Sequence, residues 1–436
     1  MSMKPDAPIR IYRVAAVRDA QGVRARPGAV AVRSGRVLAA GPEDDLPLRL
    51  RQQAQVIDLP TKLILPALVN AHTHLDLTDL GPTPYGGDWA GWLSDVIRRR
   101  RREPQAIAQA VQRGLRLSRE AGVGYVGDIA GSAEAIQARQ QAPPDVSLPG
   151  VIYLECVGIT ASTAAASAQH LGQTLDALPF EIPMPPCQRG VVLGIEPHAP
   201  YSASRALYES ATRLSHQRLY RLTTHLAETP EEIAFVRDAA GPLADLLRRL
   251  GKWDEAIRPA HQHPIDWLEP VLRRGRWLVA HCNYVDDEHL GLLSRTGTSV
   301  AYCPIASEYF GHRGHRYRDM LRAGVNVCLG TDSILCQPAS EPQPMGIWPQ
   351  MRFLYRRDGT DPDVLLKMAT INGMRALELA EADATLAPGS PARFTLLTID
   401  PDDGTDPLVQ ALQNNAPATM LDATALPKDP MQEESA

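Results

Sequence analysis

The sequence predicts an α/β fold: a (β/α)8, or TIM, barrel with a small β-sandwich domain built from both chain ends. First, eight apolar runs alternate with helical stretches through the middle of the 436 residues, which is typical of a parallel sheet covered by helices. Second, residues 1–62 contain short β-type segments separated by turn signals. Third, another β-type run, PGSPARFTLLTID, follows the last helical stretch, so two distant pieces can complete one small domain.

The same pattern divides the chain into consecutive parts. Residues 1–62 begin the β-sandwich, 63–384 form the barrel, 385–425 complete the sandwich, and 426–436 form a flexible tail because they are polar and acidic. We expect the barrel strands at residues 63–71, 123–129, 151–157, 191–197, 222–226, 277–281, 298–302 and 325–330. Residues 241–268 are longer than a plain βα connection, and we expect this insertion to cover the barrel mouth.

Composition narrows the class of protein. With 44% hydrophobic and 22% charged residues, the chain is an ordinary globular protein. Its 45 basic and 50 acidic residues leave a net charge of −5, which argues against nucleic acid or an anionic membrane as the main partner. Six cysteines without a CxxC pair argue against a zinc ribbon and a dense disulfide framework. Without a signal-peptide pattern or a long apolar run, we expect a cytoplasmic protein.

The strongest local motif lies at the end of the first predicted barrel strand. There His72 and His74 stand in NAHTHLD, and residues two apart on a strand point to the same side, so both imidazoles can reach one ion. A second His-x-His pair, His261 and His263, lies in the proline-bounded loop RPAHQHPID. Since that loop is away from any strand end, we interpret the second pair as solvated loop residues.

Further ionisable residues end other predicted strands. His225 closes the fifth strand, His281 closes the sixth, and Asp332 follows the eighth. Buried charge is costly unless it is paired or bound to a metal, so core packing explains these positions poorly. The strand ends therefore predict a metal site.

At this point the chain resembles the amidohydrolase superfamily, in its branch of aminohydrolases such as adenosylhomocysteine, guanine and cytosine deaminases and triazine chlorohydrolases. The matching motifs are LPALVNAHTHL, PHAPYS, THLAET, AHC followed by DDEHL, AYCP, LGTDS and KMATINGMRALEL. They extend from Leu65 to Leu379 in the expected order. Ala67 replaces the usual glycine, and IASEYFG follows Cys303 and Pro304 in place of the common segment. The second departure bears on substrate identity more than on chemistry.

The resemblance implies one divalent ion, Zn²⁺ or alternatively Fe²⁺. Its ligands would be His72, His74, His225 and Asp332, a set that leaves a position for water. Binuclear relatives often use a carbamylated lysine, but no lysine occurs between Lys62 and Lys252, so we expect a mononuclear site. Glu155 and Glu196 are alternative bridging carboxylates, although strand-end hydrogen bonding is the favoured interpretation of both.

The resemblance also implies catalytic roles for Glu228, His281 and Asp332. Glu228 would accept a proton from metal-activated water and pass it to the substrate; the alternative is a helix N-terminal residue favoured by the helix dipole. His281 would orient the attacking water or polarise the departing group, or else be a buried structural histidine. Asp332 would act both as a ligand and as a base.

Weaker candidates surround this set. His198, Trp89 and Trp92 are candidate substrate contacts, with structural packing as the alternative. His312 and His315 face either substrate or solvent. The remaining helical histidines are interpreted as surface residues: His170, His216 and His289. The arginine run, Arg98 to Arg102, is interpreted as a solvated or subunit-contacting face.

By resemblance we expect a hydrolytic deaminase of an aminated heterocycle, such as the 6-aminopurine nucleosides aminofutalosine or adenosylhomocysteine, acting as a homodimer. A chlorohydrolase or a cyclic-amidine hydrolase would use the same site. A scaffold without activity is the remaining alternative, but such relatives lose metal ligands, and here all four are present with Glu228.

Overall fold

The structure is a computed structural model that describes residues 7–179, 181–182, 190–340 and 343–424, without the side chains of 181–182. The predicted tail at 426–436 lies outside the described residues, as does Cys187. The five described cysteines are free and buried. Among the described residues, no helix has both the length and the hydrophobicity needed to cross a bilayer.

The chain begins with the larger part of a curled sheet. Its strands are β1 (Arg10–Arg18), β2 (Arg24–Ala25), β3 (Gly28–Arg33), β4 (Arg36–Gly41) and β5 (Gln55–Pro66). β1 pairs with β3 in antiparallel register and with β5 in parallel register. The predicted strand at 63–71 is thus two strands: its first residues belong to β5, where Leu63, Ile64 and Leu65 are fully buried.

The predicted barrel is confirmed, with eight parallel strands in chain order around a nearly closed sheet. A parallel bridge between Thr73 and Asp332 connects the last strand end to the first. A short strand, β9 (Glu181–Ile182), pairs with β10 from outside. The barrel strands are β6 (Leu68–Thr73), β7 (Val123–Ala130), β8 (Gly150–Cys156), β10 (Val191–Pro197), β11 (Arg221–Leu226), β12 (Trp277–His281), β13 (Ser299–Tyr302) and β14 (Val327–Leu329).

The last two strands return to the curled sheet. β15 (Arg393–Thr398) pairs with β5 and β16 (Thr419–Asp422) pairs with β15, both antiparallel. The small sheet therefore contains both chain ends, as predicted. A cluster of buried side chains that includes Tyr12, Val30 and Phe394 packs on it.

Helices surround the barrel, and several begin at proline, which suits the first helical position because that position needs no amide donor. Three 3₁₀ segments, Glu43–Asp45, Leu75–Leu80 and Glu381–Ala384, complete the structure. The helices are α1 (Leu48–Gln53), α2 (Trp89–Arg99), α3 (Pro104–Glu120), α4 (Ala133–Gln140), α5 (Ala161–Asp176), α6 (Arg205–Arg218), α7 (Pro230–Asp238), α8 (Pro242–Arg249), α9 (Pro264–Leu272), α10 (Asp287–Thr296), α11 (Pro304–Tyr309), α12 (Tyr317–Arg322), α13 (Ile347–Asp358), α14 (Pro362–Ala369), α15 (Ile371–Ala376) and α16 (Pro407–Gln413).

Two histidines outside the barrel differ from their predicted surface positions. His289 is only 5% exposed, because its backbone amide and Nδ1 form a capping box with Asp286 at the start of α10. His263 is half-buried: it caps α9 by accepting a hydrogen bond from the Ile265 amide, and its ring stacks on His289 at a centroid distance of 4.1 Å. His261, His170 and His216 are exposed, as predicted.

Candidate active site

Three predicted ligands meet at the carboxyl ends of β6 and β11. One nitrogen of each of His72, His74 and His225 lies within 4.8 Å of the others, and the Nε2 atoms of His74 and His225 are 3.3 Å apart. Asp332 Oδ1 lies 3.4 Å from His74 Nε2 and 3.8 Å from His72 Nε2. The structure therefore brings together all four residues predicted to hold an ion.

The predicted catalytic residues form a second cluster beside the first. Atoms of Glu228, His281 and Asp332 lie within 4.8 Å of one another, and His281 Nε2 is 3.6 Å from Glu228 Oε1. The turn that carries Glu228 is held by Glu232, whose carboxylate accepts hydrogen bonds from the Ala227 and Glu228 amides. Glu232, not Glu228, therefore holds the turn before α7, and Thr229 caps the helix by accepting a hydrogen bond from the Glu232 amide.

Backbone conformation at these strand ends is unusual. His281 has φ of 73° and Asp332 has φ of 57°, both in the left-handed region that non-glycine residues rarely adopt. Such strain tends to persist where the surrounding structure fixes a functional geometry. Next to them, a Cβ at Gly330 would lie 2.9 Å from the His72 carbonyl oxygen. Only glycine allows β14 to approach β6 this closely.

Burial keeps most of the histidines uncharged. It lowers the pKa of His72, His74 and His281 well below the usual value, so each presents a neutral imidazole, the form that binds metals. Neither ring nitrogen of His72 has a hydrogen-bond partner among the described residues, nor does His281 Nε2. Buried polar atoms are rarely left without partners, and an ion is the partner that a histidine cluster suits.

His225 is oriented by contacts on its far side. Its Nδ1 lies 3.0 Å from the His198 carbonyl oxygen and 3.1 Å from Glu196 Oε1, so Nε2 is left for the cluster. Burial lowers the pKa of His225, but Glu196 and the neighbouring carboxylates outweigh it and raise this pKa to about 10. Carboxylates that favour a proton here also favour a metal cation in its place.

Glu228 and Asp332 supply the acidic side of the site. Burial raises the pKa of Glu228 to about 8 and raises the pKa of Asp332. The donor set of three imidazoles and one carboxylate matches that of catalytic zinc sites. His72, His74, His225 and Asp332 thus fit a divalent ion, with Glu228 and His281 beside it.

A cavity of about 370 Å³ opens above this centre, and its lining includes His198, Trp89 and Trp92. Trp89 is buried, and its Nε1 has no acceptor among the described residues. Trp92 packs edge-on against Phe310 at a centroid distance of 4.9 Å. The three predicted substrate contacts therefore border the cavity, and packing against neighbours accounts for part of the two tryptophans' surface.

The hydrogen bonds of His198 fix its tautomer. Its Nδ1 lies 2.7 Å from Ser202 Oγ, and that hydroxyl donates its proton to the Ala199 carbonyl. Nδ1–H must therefore donate to Ser202, which leaves Nε2 as an acceptor. Burial lowers the pKa of His198 to about 4, so the ring is neutral at physiological pH.

The arginine run is the main correction at the site. Arg100 is not part of a solvated face, because α2 ends at Arg99 and the chain turns there. Its guanidinium donates to Asp76 Oδ2 at 2.9 Å and to Glu155 Oε2 at 2.8 Å. A side chain at Gly131 would collide with this guanidinium. Arg99 is also partly buried and donates to the Leu80 carbonyl, but Arg100 alone in the run pairs with carboxylates at the site, and no pattern in the sequence indicates this.

This arginine also explains Glu155. Burial would raise the pKa of Glu155, but Arg100 outweighs it and lowers this pKa to about 2. Glu155 is therefore a paired carboxylate at the end of β8, and Glu196 lies against His225. The hydrogen bonds of Glu155 to Arg100 agree with the favoured interpretation of that residue, whereas Glu196 contacts His225 through charge and has no hydrogen-bond partner among the described residues.

The two histidines after β13 are held by hydrogen bonds and ring contacts within the protein. His315 donates from Nε2 to the His281 carbonyl oxygen at 2.8 Å and stacks on Tyr302 at 3.7 Å. His312 is buried, with Nδ1 2.9 Å from the Tyr284 hydroxyl. His315 supports the backbone of His281, a role that its sequence position did not indicate.

Comparison with known proteins agrees with this geometry. The model of the amidohydrolase family matches residues 63–424. An aminodeoxyfutalosine deaminase of Deinococcus radiodurans is 27% identical over 376 residues, covering 80% of this chain and 81% of that protein. A 5-methylthioadenosine/S-adenosylhomocysteine deaminase of Symbiobacterium thermophilum is 27% identical over 387 residues, covering 85% of this chain and 80% of that protein.

The fold likeness extends over nearly the whole chain. The crystal structure of Helicobacter pylori aminofutalosine deaminase superposes with a TM-score of 0.76 at 18% identity, covering 94% of this chain and 97% of that one. The family match covers far more than half of the sequence and contains all four residues predicted to hold an ion. This chain belongs to the amidohydrolase family.

Proposed function

We propose that this protein is a metal-dependent hydrolytic deaminase that releases ammonia from a 6-aminopurine nucleoside. The observation that carries the proposal is the Glu228, His281 and Asp332 cluster beside the three ligand histidines. A purely structural metal site is closed by its ligands and needs no acid–base residues next to it. The relatives named as deaminases of adenosine-type and aminofutalosine-type compounds supply the substrate class.

A divalent ion held by His72, His74, His225 and Asp332 would supply Lewis acidity that makes water a nucleophile at neutral pH. We propose Zn²⁺, with Fe²⁺ as the alternative, because three imidazoles and one carboxylate form a common zinc set. Elemental analysis of the purified protein tests this: one zinc per chain is the expected result, and an iron-only protein would contradict the choice of metal.

Glu228 would move the proton in this reaction. As water adds to C6, the Glu228 carboxylate accepts one of its protons and delivers it to the ring nitrogen N1. The second water proton leaves with the amino group, so C6 becomes a carbonyl and ammonia departs. His281, 3.6 Å from Glu228, would hold the attacking oxygen in line, and Asp332 would assist as a base.

His198, Trp89 and Trp92 would contact the substrate. His198 offers an acceptor at Nε2, which suits a hydroxyl or N–H group of the ligand. The indole rings give apolar surface against which a heterocycle can stack. The homodimer and the cytoplasmic location predicted from the sequence remain part of this proposal.

The proposal is tested by measuring ammonia released by zinc-reconstituted protein from aminopurine nucleosides. The panel contains adenosine, 5′-deoxy-5′-methylthioadenosine, S-adenosylhomocysteine and aminofutalosine. Release from at least one member is the expected result. Silence across the panel, with zinc bound, would contradict it, and chloride release from a chlorotriazine or opening of an imidazolone would then identify the alternative reaction.

A further inference from the structure

The chain segment after β13, residues 304–315, lies behind the pair formed by Glu228 and His281. In this segment the sequence departs from the common family motif. The segment begins with α11, and its start is anchored to α13, because the Ile305 amide donates to Gln350 Oε1 at 3.0 Å. We call residues 304–315 the rear segment, and Glu228 with His281 the acid–base pair.

A chain of two hydrogen bonds connects the rear segment to Glu228. Ser307 Oγ donates to Asn283 Oδ1 at 2.9 Å, and Asn283 Nδ2 donates to the Glu228 carbonyl at 3.0 Å. Both side chains are buried, so bulk water is kept from both bonds. The Ser307 hydroxyl therefore fixes the direction in which the Asn283 amide points, and that amide holds the backbone of Glu228.

A separate hydrogen bond connects the rear segment to His281. The Tyr317 amide donates to His315 Nδ1, so His315 carries its proton on Nε2 and donates it to the His281 carbonyl at 2.8 Å. The His315 ring also stacks on Tyr302, whose hydroxyl accepts a hydrogen bond from Arg357. The donor is thus held in one tautomer and one orientation.

The backbone at His281 requires this support. His281 and Cys282 both have positive φ, 73° and 51°, and two such non-glycine residues in succession are strained. The peptide group between them is held on both sides: its carbonyl accepts from His315, and its N–H donates to the Leu226 carbonyl at 2.9 Å. Without the His315 donor, rotation of this peptide group would relieve the strain and release the imidazole from its place 3.6 Å from Glu228.

The supporting side chains lie behind the reacting groups. The described residues that line the cavity include Glu228 and His281, but Asn283, Ser307 and His315 are not among them. Resting on the deaminase function proposed above, we propose that the rear segment positions the acid–base pair. Ser307 orients Glu228 through Asn283. His315 holds His281 directly.

Two substitutions of His315 separate its hydrogen bond from its ring packing. His315→Phe keeps an aromatic ring on Tyr302 but removes the Nε2 donor, whereas His315→Gln loses the ring and keeps an N–H donor for the His281 carbonyl. We expect His315→Phe to lower kcat about 10- to 100-fold, with KM changed by less than about twofold and one zinc per chain. His315→Gln should stay within about threefold of the unaltered kcat. Equal kcat values for the two variants, or the opposite order, would overturn the role of His315.

A double-mutant cycle tests the connection from Ser307 to Glu228. Ser307→Ala should lower kcat about tenfold in the otherwise unaltered protein. In the Glu228→Gln background the same change should cost less than about twofold, because its effect passes through the Glu228 carboxylate. A tenfold loss in both backgrounds would overturn this connection. Ser390→Ala is the matched control and should leave kcat unchanged, because Ser390 is a buried serine that donates to the Ala382 carbonyl beside the small sheet.

NMR of the zinc-loaded protein, labelled with ¹⁵N in its histidines, reports on His281 without a substrate. The His281 ring signals, assigned from the spectrum of His281→Gln, should shift in His315→Phe and stay in place in His315→Gln. This pattern without ammonia release from any nucleoside would support the inference and contradict the deaminase function. Ammonia release by the unaltered protein, with unchanged kcat and unchanged His281 signals in His315→Phe, would support the deaminase and overturn the inference.

Discussion

His72 and His74 lie at the end of a buried barrel strand, whereas His261 and His263 lie in the loop before α9. In the first pair, neither ring nitrogen of His72 has a hydrogen-bond partner among the described residues, and His225 and Asp332 lie close to both histidines. In the second pair, His261 is exposed and His263 caps a helix. The same motif thus belongs to a cluster that fits a metal ion in one place and to local structure in the other, because the element that carries it decides where the imidazoles point.

Replacing one histidine from each pair should give two variants that differ most in metal content and in kcat/KM. His74→Ala should lose the bound ion and at least about 10⁴-fold in kcat/KM, because water at neutral pH is then no longer activated. His263→Ala should keep one ion per chain and activity within about twofold. Elemental analysis and ammonia release measure both, and equal losses in the two variants would contradict the contrast.

A smaller effect is expected from the residue that orients a ligand without belonging to the set. Glu196→Gln removes the charge 3.1 Å from His225 Nδ1, and loss of such a contact typically weakens metal affinity about 10- to 100-fold. Competition with a chromogenic chelator measures this. Glu209→Gln, on α6, is the matched control. An unchanged metal affinity in Glu196→Gln would show that His225 needs no support from Glu196.

Within the arginine run, as in the two histidine pairs, residues of the same type have different surroundings. Arg100→Met leaves Asp76 and Glu155 without their cation, and we expect the free energy of unfolding to fall by about 2 kcal/mol. Breaking a fully buried ion pair would cost more than this, but Arg100 is partly exposed, and solvent weakens the interaction. Arg101→Met should change the free energy of unfolding by less than about 0.5 kcal/mol. Urea unfolding of both variants is the measurement, and similar stabilities would refute the inward role of Arg100.

The smallest effect concerns the histidine stack outside the barrel. His289→Ala removes the Nδ1 that accepts a hydrogen bond from the Asp286 amide, so we expect about 1 kcal/mol of destabilisation with one ion still bound. His216→Ala, at an exposed position, serves as the control. Loss of the ion in His289→Ala would mean that the second histidine group also supports the metal centre.

The barrel and the convergence of the four candidate ligands were predictable because both depend on local patterns: buried apolar runs locate the strands, and strand ends converge at one edge of a barrel. Leu243, Leu246, Leu247 and Leu250 also carried a readable signal, the spacing of one apolar helix face. That spacing does not say what the face covers. The contact between Arg100 and Glu155 joins residues far apart in sequence, so it emerges only from the fold.

A comparison of kcat between Glu228→Gln and the unaltered protein, both zinc-loaded, on a nucleoside that the latter deaminates isolates the role of Glu228. In the proposed mechanism, Glu228 transfers the proton at a metal centre that other residues build. We expect Glu228→Gln to keep one zinc per chain and to lose about 10²- to 10⁴-fold in kcat. Full turnover in this variant would contradict the account.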